Sequence, residues 1–371
     1  MRVPFVDLAA QHAEVADEVR PGLDAVYAAT AFVGGPAVAA FEQEYAAFAG
    51  VEHCIGAANG TDALELALRG AGVTPGSEVV VPANTFIASA EAVSRIGAVP
   101  VPVDVDDEHL LIDPAKVEAA LTDRTSAVIA VHLFGQLAPM AELEAICGQR
   151  GIPLVEDAAQ SQGARVGDLV SGGIGRVAAT SFYPGKNLGA SGDAGAVTTH
   201  DAEIAERVRL LANHGSSVRY VHDVVGMNSR LDGVHAVYLS AKLGRLDKWN
   251  ELRSRAAGRY AELLGDVPGV RLPGVLTPEG HVWHLYVVRV DDRDRVLADL
   301  GEAGIGAGIH YPTPVHLTPA YAWLGLGPGT APVAEAAAGQ ILSLPMHPHL
   351  TEEMQEHVAR VLTRSVAGAQ S

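Results

Sequence analysis

The chain has 371 residues, long enough to bury more than one apolar core, and its 44 acidic against 26 basic side chains give a net charge of −18. That balance excludes a general surface for nucleic acid or anionic membrane, so an anionic ligand needs a local site. No run of about 18 apolar residues and no leader-like start occur, which predicts a soluble, cytoplasmic protein without a membrane partner.

The first strong element is ANGTDALELALRG, residues 58–70, an amphipathic helix whose start places Gly60 and Thr61 among free backbone amides. Capping by Asn59 or Thr61 and an anion site at that helix end are both open readings. From Glu78 to about Thr199 short apolar runs alternate with helical periods. EVVVPA, AVPVPVDVD, SAVIAVHLFG and PLVEDAAQ read as strands, separated by an alanine-rich helix, DPAKVEAALTD and PMAELEAICGQRG. This is the pattern of an α/β domain whose mostly parallel sheet is covered on both faces. Ligands of such sheets gather at the carboxyl ends of strands, where PANTF, HLFGQ, EDAAQ and SFYPGK fall.

Beyond Asn228 the stretch VHAVYLSAKLGRLDKWNELRSRAAGRYAELL reads as one long helix, followed by the strand HVWHLYVVRV, a helix from about Asp292 and IGAGIHYP. GLGPGTAP, 325–332, reads as a turn before another helix. The expected organisation is a large α/β unit over residues 1–245 and a smaller α+β unit over 246–371. Cys54 and Cys147 lie far apart and are expected as packed reduced thiols. The fifteen histidines come without HExxH or CxxC, so no metal site is expected.

Only four of the basic residues are lysines, at 116, 186, 242 and 248. Three of them lie in helical stretches and are expected as solvated surface charges. Lys186 alone stands among turn formers, in SFYPGKNLGA. A lysine there either neutralises an acid or serves as a Schiff-base former. A pyridoxal phosphate site needs a carboxylate for the pyridine nitrogen, a flat face and donors for a phosphate. Asp157 in EDAAQ follows a buried strand and is the candidate carboxylate, a helix cap being the other open reading, while Glu156 is expected to face the other way. Gln160 would share the Asp157 face and donate to the cofactor's 3-hydroxyl, and Ser181 adds a donor beside Gly60 and Thr61. Phe86 is the candidate flat face.

Taken together, these segments resemble the pyridoxal-phosphate-dependent nucleotide-sugar aminotransferases of the DegT/DnrJ type. ANGTDAL, PANTFIAS, EDAAQSQGA, SFYPGKNLGASGDAG, GMNSRLD and HYPTPVHLTPAY carry the likeness, which runs from Phe5-Val6-Asp7 through nearly the whole chain. The resemblance implies the fold type I of that enzyme class and a homodimer with shared active sites. It implies Lys186 as the covalent attachment point, Asp157 on the ring nitrogen, Gln160 on the ring oxygen and Phe86 stacked on the ring. Gly60, Thr61 and Ser181 would hold the phosphate, with Asn228 reaching it across the dimer.

The family also implies glutamate as amino donor, pyridoxal and pyridoxamine phosphate as alternating cofactor forms, and a nucleotide-diphosphate ketosugar as acceptor. SFYPGKNLGA with VHLFGQ looks most like members that aminate a 3-keto-deoxysugar on a deoxythymidine diphosphate carrier. Tyr183, Arg219, His310 and Tyr311 resemble substrate contacts of that branch. His235 departs from the glutamine common at its position. A cyclitol or 4-ketosugar aminotransferase, or a regulator that holds the cofactor without turnover, are the alternatives. With the likeness starting near residue 5, a regulator fused to a DNA-binding domain is not expected. GIGRVA, 173–178, satisfies a loose GxGxxA but precedes a strand instead of following one, which speaks against a nicotinamide enzyme.

Overall fold

The computed structural model describes residues 1–368. Two helices without a strong apolar period open the chain: α1 (Leu8–Ala29), started by the Asp7 side chain accepting from the Ala10 amide, and α2 (Pro36–Ala49), ended by Gly50 in the left-handed region. The large sheet draws on β1 (His53–Ala57), β2 (Glu78–Pro82), β3 (Val99–Val103), β4 (Thr125–Val131) and β5 (Leu154–Asp157). After a small hairpin, β6 (Arg165–Val166) and β7 (Leu169–Val170), it is completed by β8 (Val177–Ser181) and β9 (Gly195–Thr199). The order is β1-β9-β8-β5-β4-β2-β3. Neighbours among β3, β2, β4, β5 and β8 run parallel, and β9 is antiparallel to both β8 and β1.

The connecting helices are α3 (Gly60–Gly70), α4 (Ala88–Ile96), α5 (Pro114–Ala120), α6 (Met140–Arg150) and α7 (Ala202–Ala212). They cover both faces, so β2 and β9 are buried at every position. This explains the unbroken apolar Val79-Val80-Val81 of β2. Val79, Val81, Ile129 and Val155 face one core; Val80, Val128 and Ala130 face the other.

A short exposed hairpin, β10 (Ser216–Val218) with β11 (Val221–His222), follows α7. The predicted long helix is two, α8 (Gly233–Leu243) and α9 (Leu246–Leu264), broken at Gly244 and Arg245. Glycine is a poor helix interior, and from Ala256 onward the second piece serves a different core. Ala236 and Leu239 of α8 pack with Phe41 and Phe182, whereas Ala257, Tyr260 and Leu264 of α9 pack with Tyr286 and Leu342.

The remaining chain builds an antiparallel sheet, β12 (Val270–Arg271), β13 (Tyr286–Val290) and β14 (Ile341–Leu344), with α10 (Arg293–Glu302), α11 (Pro332–Ala338) and α12 (Glu352–Gly368). GLGPGTAP leads into α11 as expected. IGAGIHYP forms single bridges, Ile305 to Val3 and Gly308 to Ser343, and no strand of its own. Val3 thus joins the second core from the far end of the chain.

Among the described residues no helix is long and apolar enough to cross a membrane, and no group of three or more histidines, cysteines or acids is placed to hold a metal ion. Cys54 and Cys147 are buried free thiols.

One expectation fails outright. Lys242 is not a surface charge: it is 1 % exposed, its Nζ donates to the Gly189 carbonyl at 2.7 Å and to Gln11 Oε1 at 3.3 Å, and it lies over the Tyr238 and Trp249 rings. Helical periodicity places a residue on a face but does not say that α1 covers that face, so the pattern carries no sign of the burial.

Candidate active site

The carboxyl ends of β2, β4, β5 and β8 open into one cavity of about 450 Å³, closed from the other side by residues of the C-terminal part. Lys186, Asp157, Gln160, Ser181, Gly60, Thr61, Phe86, Tyr183, His310 and Tyr311 all line it. Sequence spacing suggested a common strand-end location, and the parallel topology supplies it.

Lys186 sits in the connection between β8 and antiparallel β9, so both ends of its loop are tied into the sheet. The Phe182 amide donates to Ala194, the Ala190 amide to Phe182, and the Lys186 amide closes a turn onto the Tyr183 carbonyl at 2.9 Å. Gly189 has no room for a side chain, because a Cβ would collide with the Pro184 carbonyl. Burial pushes the Lys186 amine down to about 8, against the opposing pull of the Asp157 charge.

Alternation along β5 separates its two acids as predicted. Asp157 faces the cavity, accepting from Ser89 Oγ at 2.8 Å and from the Ala159 amide. Glu156 points to the opposite face and is fully buried. There it receives His132 Nε2 at 2.9 Å and the amides of Gly172, Ile174 and Gly175 at 2.8–2.9 Å. The turn from Gly172 to Gly175, which overlaps the start of GIGRVA, therefore cradles an internal carboxylate with its amides, which accounts for that motif without a dinucleotide.

At the start of α3, Asn59 caps the Asp62 amide at 2.8 Å, so capping and an exposed amide end coexist. Gly60 lies against Ser181: a Cβ on it would come within 2.5 Å of the serine Cβ. Gly60→Ala is accordingly expected to push the α3 start away from Ser181 and weaken retention of a phosphate ligand about tenfold, measured by equilibrium dialysis against inorganic phosphate or the loaded cofactor. Unchanged retention would remove Gly60 from the anion site.

Gln160 is fixed from both ends. Its Oε1 accepts the Phe134 amide at 2.6 Å and its Nε2 donates to Tyr311 Oη at 3.1 Å. Phe134 holds a left-handed backbone, φ 63°, to direct that amide inward. The Tyr311 ring lies 5.3 Å from that of Phe86. Burial and the Asp157 charge push the Tyr311 hydroxyl up, so it stays protonated. His310 pairs with Ser343 Oγ at 2.8 Å, and burial with the nearby Lys186 charge pushes it down to about 4.

Two expected residues stand apart. Asn228 and Arg219 do not line the cavity of this chain. Asn228 is exposed, its backbone bridging Asn213 after the β10–β11 hairpin, and Arg219 lies at the hairpin tip with its guanidinium on Tyr220. His235 bonds Ser191 Oγ at 3.1 Å below Gly192.

Sequence reasoning did not single out Ser89, Asp193 or His284, and it treated Phe5 and Val6 only as part of a motif. All but Ser89 line the cavity. Ser89 was readable: it lies inside PANTFIAS, three residues after Phe86 at the start of a helix. His284 was not, since HVWHLYVVRV reads simply as a strand.

The sequence model described as the DegT/DnrJ/EryC1/StrS aminotransferase family matches residues 14–363. The chain belongs to that family. Among its DegT/DnrJ/EryC1/StrS relatives, the erythromycin biosynthesis sensory transduction protein EryC1 of Saccharopolyspora erythraea is 49 % identical over 98 % of this chain and 99 % of its own. The dTDP-3-amino-3,4,6-trideoxy-alpha-D-glucose transaminase of Streptomyces venezuelae is 47 % identical over 94 % and 92 %. The crystal structure of S. venezuelae DesV in complex with a ketimine intermediate superposes with a TM-score of 0.95, at 45 % identity and 98 % of both chains. The α/β architecture with a large, mostly parallel sheet is thus that of the DegT/DnrJ/EryC1/StrS aminotransferases.

Proposed function

We propose that the chain is a pyridoxal-phosphate-dependent aminotransferase that moves an amino group from glutamate to a 3-keto-deoxysugar on a nucleotide diphosphate, most simply deoxythymidine diphosphate. The observation that carries this reading is the meeting of Lys186, Asp157 and the α3 amino end in one cavity of about 450 Å³. The residues fit the cofactor by chemistry. Asp157 is the carboxylate for a ring N–H, Gly60, Thr61 and Ser181 form an anion-binding end, Phe86 offers a flat face, and Gln160 has an amide hydrogen left after bonding Tyr311.

When bound, the cofactor supplies a conjugated, positively charged ring that draws electron density from a substrate carbon. The chain's own residues do the rest. Lys186 would be the residue that holds the cofactor's aldehyde and, as a free amine, would carry the proton between carbons; an amine pushed down to about 8 by burial is neutral often enough to do so. Asp157 holds its countercharge in place through Ser89. Tyr311 and the apolar walls of Phe5 and Leu285 shield the reacting end from water. Tyr183, at the mouth, and His310 are proposed sugar contacts.

Asn228 and Arg219 belong to the same proposal as residues contributed by a second copy of this chain in a cytoplasmic homodimer, Arg219 serving the diphosphate. Their exposure away from the chain's own cavity is what such a role requires. The division at residue 245 supports a cofactor-binding unit and a smaller C-terminal one, with Val3 as a contribution of the first segment to the second core.

The test is to incubate the purified holoenzyme with glutamate, follow the cofactor's absorbance, and then add a panel of 3-keto and 4-keto nucleotide sugars. A spectral change with glutamate and amination of a 3-keto sugar are expected. A cofactor that never changes form would instead assign the chain to binding without turnover, and amination of 4-keto sugars alone would move the attacked carbon. Asp157→Asn is expected to lower the glutamate half-reaction about 10²- to 10³-fold, by removing the charge that faces the ring, while the cofactor stays bound. Stopped-flow absorbance with glutamate measures it.

A further inference from the structure

His284 raises a question that the family reading does not answer: a neutral histidine beside a catalytic amine helps or hinders it according to which ring nitrogen carries the hydrogen. Here the structure decides. Asn250 Nδ2 lies 2.9 Å from the Gln162 carbonyl, which accepts only, so Asn250 Oδ1 faces the other way. Asn187 presents its Nδ2 to that Oδ1 at 2.9 Å and to the Val282 carbonyl at 2.9 Å. With both amide hydrogens committed, Asn187 offers Oδ1 to His284 Nδ1 at 3.1 Å. Reversing either amide would set oxygen against oxygen at buried positions, Asn187 being 1 % exposed. Nδ1 of His284 therefore carries the hydrogen. Its Nε2 is left as a lone pair without a hydrogen-bond partner among the described residues, on a ring that lines the cavity with Lys186.

We propose that the Asn250–Asn187 relay locks His284 as a hydrogen-bond acceptor, and that His284 is thereby a positioning residue for the Lys186 amine. The inference rests on the reading of Lys186 as the proton-carrying amine. A neutral amine that is to take a proton from carbon needs its lone pair free. A histidine with hydrogen on Nε2 would donate to that lone pair and block it. A histidine with a bare Nε2 can only accept an amine hydrogen, which turns the amine's lone pair away from the ring and toward the substrate. Burial, together with the charges of Lys186, Arg253 and His310, keeps the ring uncharged, so it does not become a donor by protonation. The same relay anchors the side chain of Asn187, the residue after Lys186, so position and tautomer are set together.

Two measurements test this. Long-range nitrogen–proton NMR of histidine-labelled holoenzyme, with His284 assigned by its loss in His284→Phe, is expected to show the Nδ1–H form from pH 6 to pH 8. It needs no turnover, so it stands even if the aminotransferase reading fails. An Nε2–H or charged ring would overturn the proposal. Second, Asn187→Leu frees the ring to donate and is expected to slow the glutamate half-reaction about tenfold or more, while Asn187→Leu with His284→Phe recovers part of that loss because the competing donor is gone. If the double variant is no faster than Asn187→Leu alone, the relay is only structural support for the loop. Should Asn187→Leu fail to fold, the NMR result alone decides. Absence of any half-reaction in the unaltered enzyme would count against the proposed function and leave the tautomer result untouched.

Discussion

Lys186→Ala is expected to leave the protein folded and to slow the glutamate half-reaction about 10⁴-fold or more, because one side chain serves as both attachment point and proton carrier. Folding is spared since the loop is held by its backbone and by Asn187 and Lys242, none of which uses the Lys186 side chain. Lys186→Arg is expected to fail equally: a guanidinium keeps its proton at any working pH and neither attacks an aldehyde nor accepts a proton from carbon. The amine's acidity gives a further check. With the folded value pushed down to about 8 by burial, the neutral fraction of Lys186 grows as pH rises and levels above that value. Capture of added cofactor by the apoprotein should therefore accelerate from pH 6 to about 8 and then flatten. Absorbance under excess cofactor reads this, and a flat profile would place the limiting step elsewhere.

Glu156→Ala is expected to cost about 3–5 kcal/mol of stability, more than any surface change, although no substrate touches it. Removal strands the amides of Gly172, Ile174 and Gly175 and the ring of His132 inside the protein. Glu156→Gln keeps one oxygen and should lose about half as much. Burial by itself raises the Glu156 value, but the hydrogen bond and charge of His132 and the amides outweigh it, and the folded carboxyl lies below its ordinary 4.5. The unfolded chain then binds the extra proton first. The stabilisation is complete above that ordinary value and disappears as pH falls through the lower folded one. Urea midpoints at pH 7 and at pH 4 and below should show the gap between wild type and Glu156→Ala narrowing with acid; a constant gap would mean that the carboxylate's charge contributes nothing.

What the sequence disclosed follows from what a linear pattern can encode. The strands β2, β4 and β5 were legible because burial on both faces gives each a continuous apolar stretch, and the acids of β5 because alternation is a local rule. Cofactor-binding candidates were legible because strand ends in a parallel sheet share one edge. The break between α8 and α9 was not, since a single glycine is tolerated in a helix and only the two cores behind it demand the change of direction. Lys242 and His284 were missed for a common reason. Each is defined by a partner far away in sequence, Gln11 and Gly189 for one and Asn187 for the other, and a helix or strand pattern carries no record of such partners.

The bridging of Val3 with Gly304 and Gly306, and of Phe5 with Met346, has a bearing on how the molecule is made. Phe5 and Val6 form part of the cavity wall, yet the backbone partner of Phe5, Met346, is synthesised long after it. The first segment must wait, unpaired, while the large sheet assembles, so the pocket is finished last. A nascent chain halted before residue 304 would carry the lysine loop and both β5 acids but no complete chamber around them, and would be unable to shut water out.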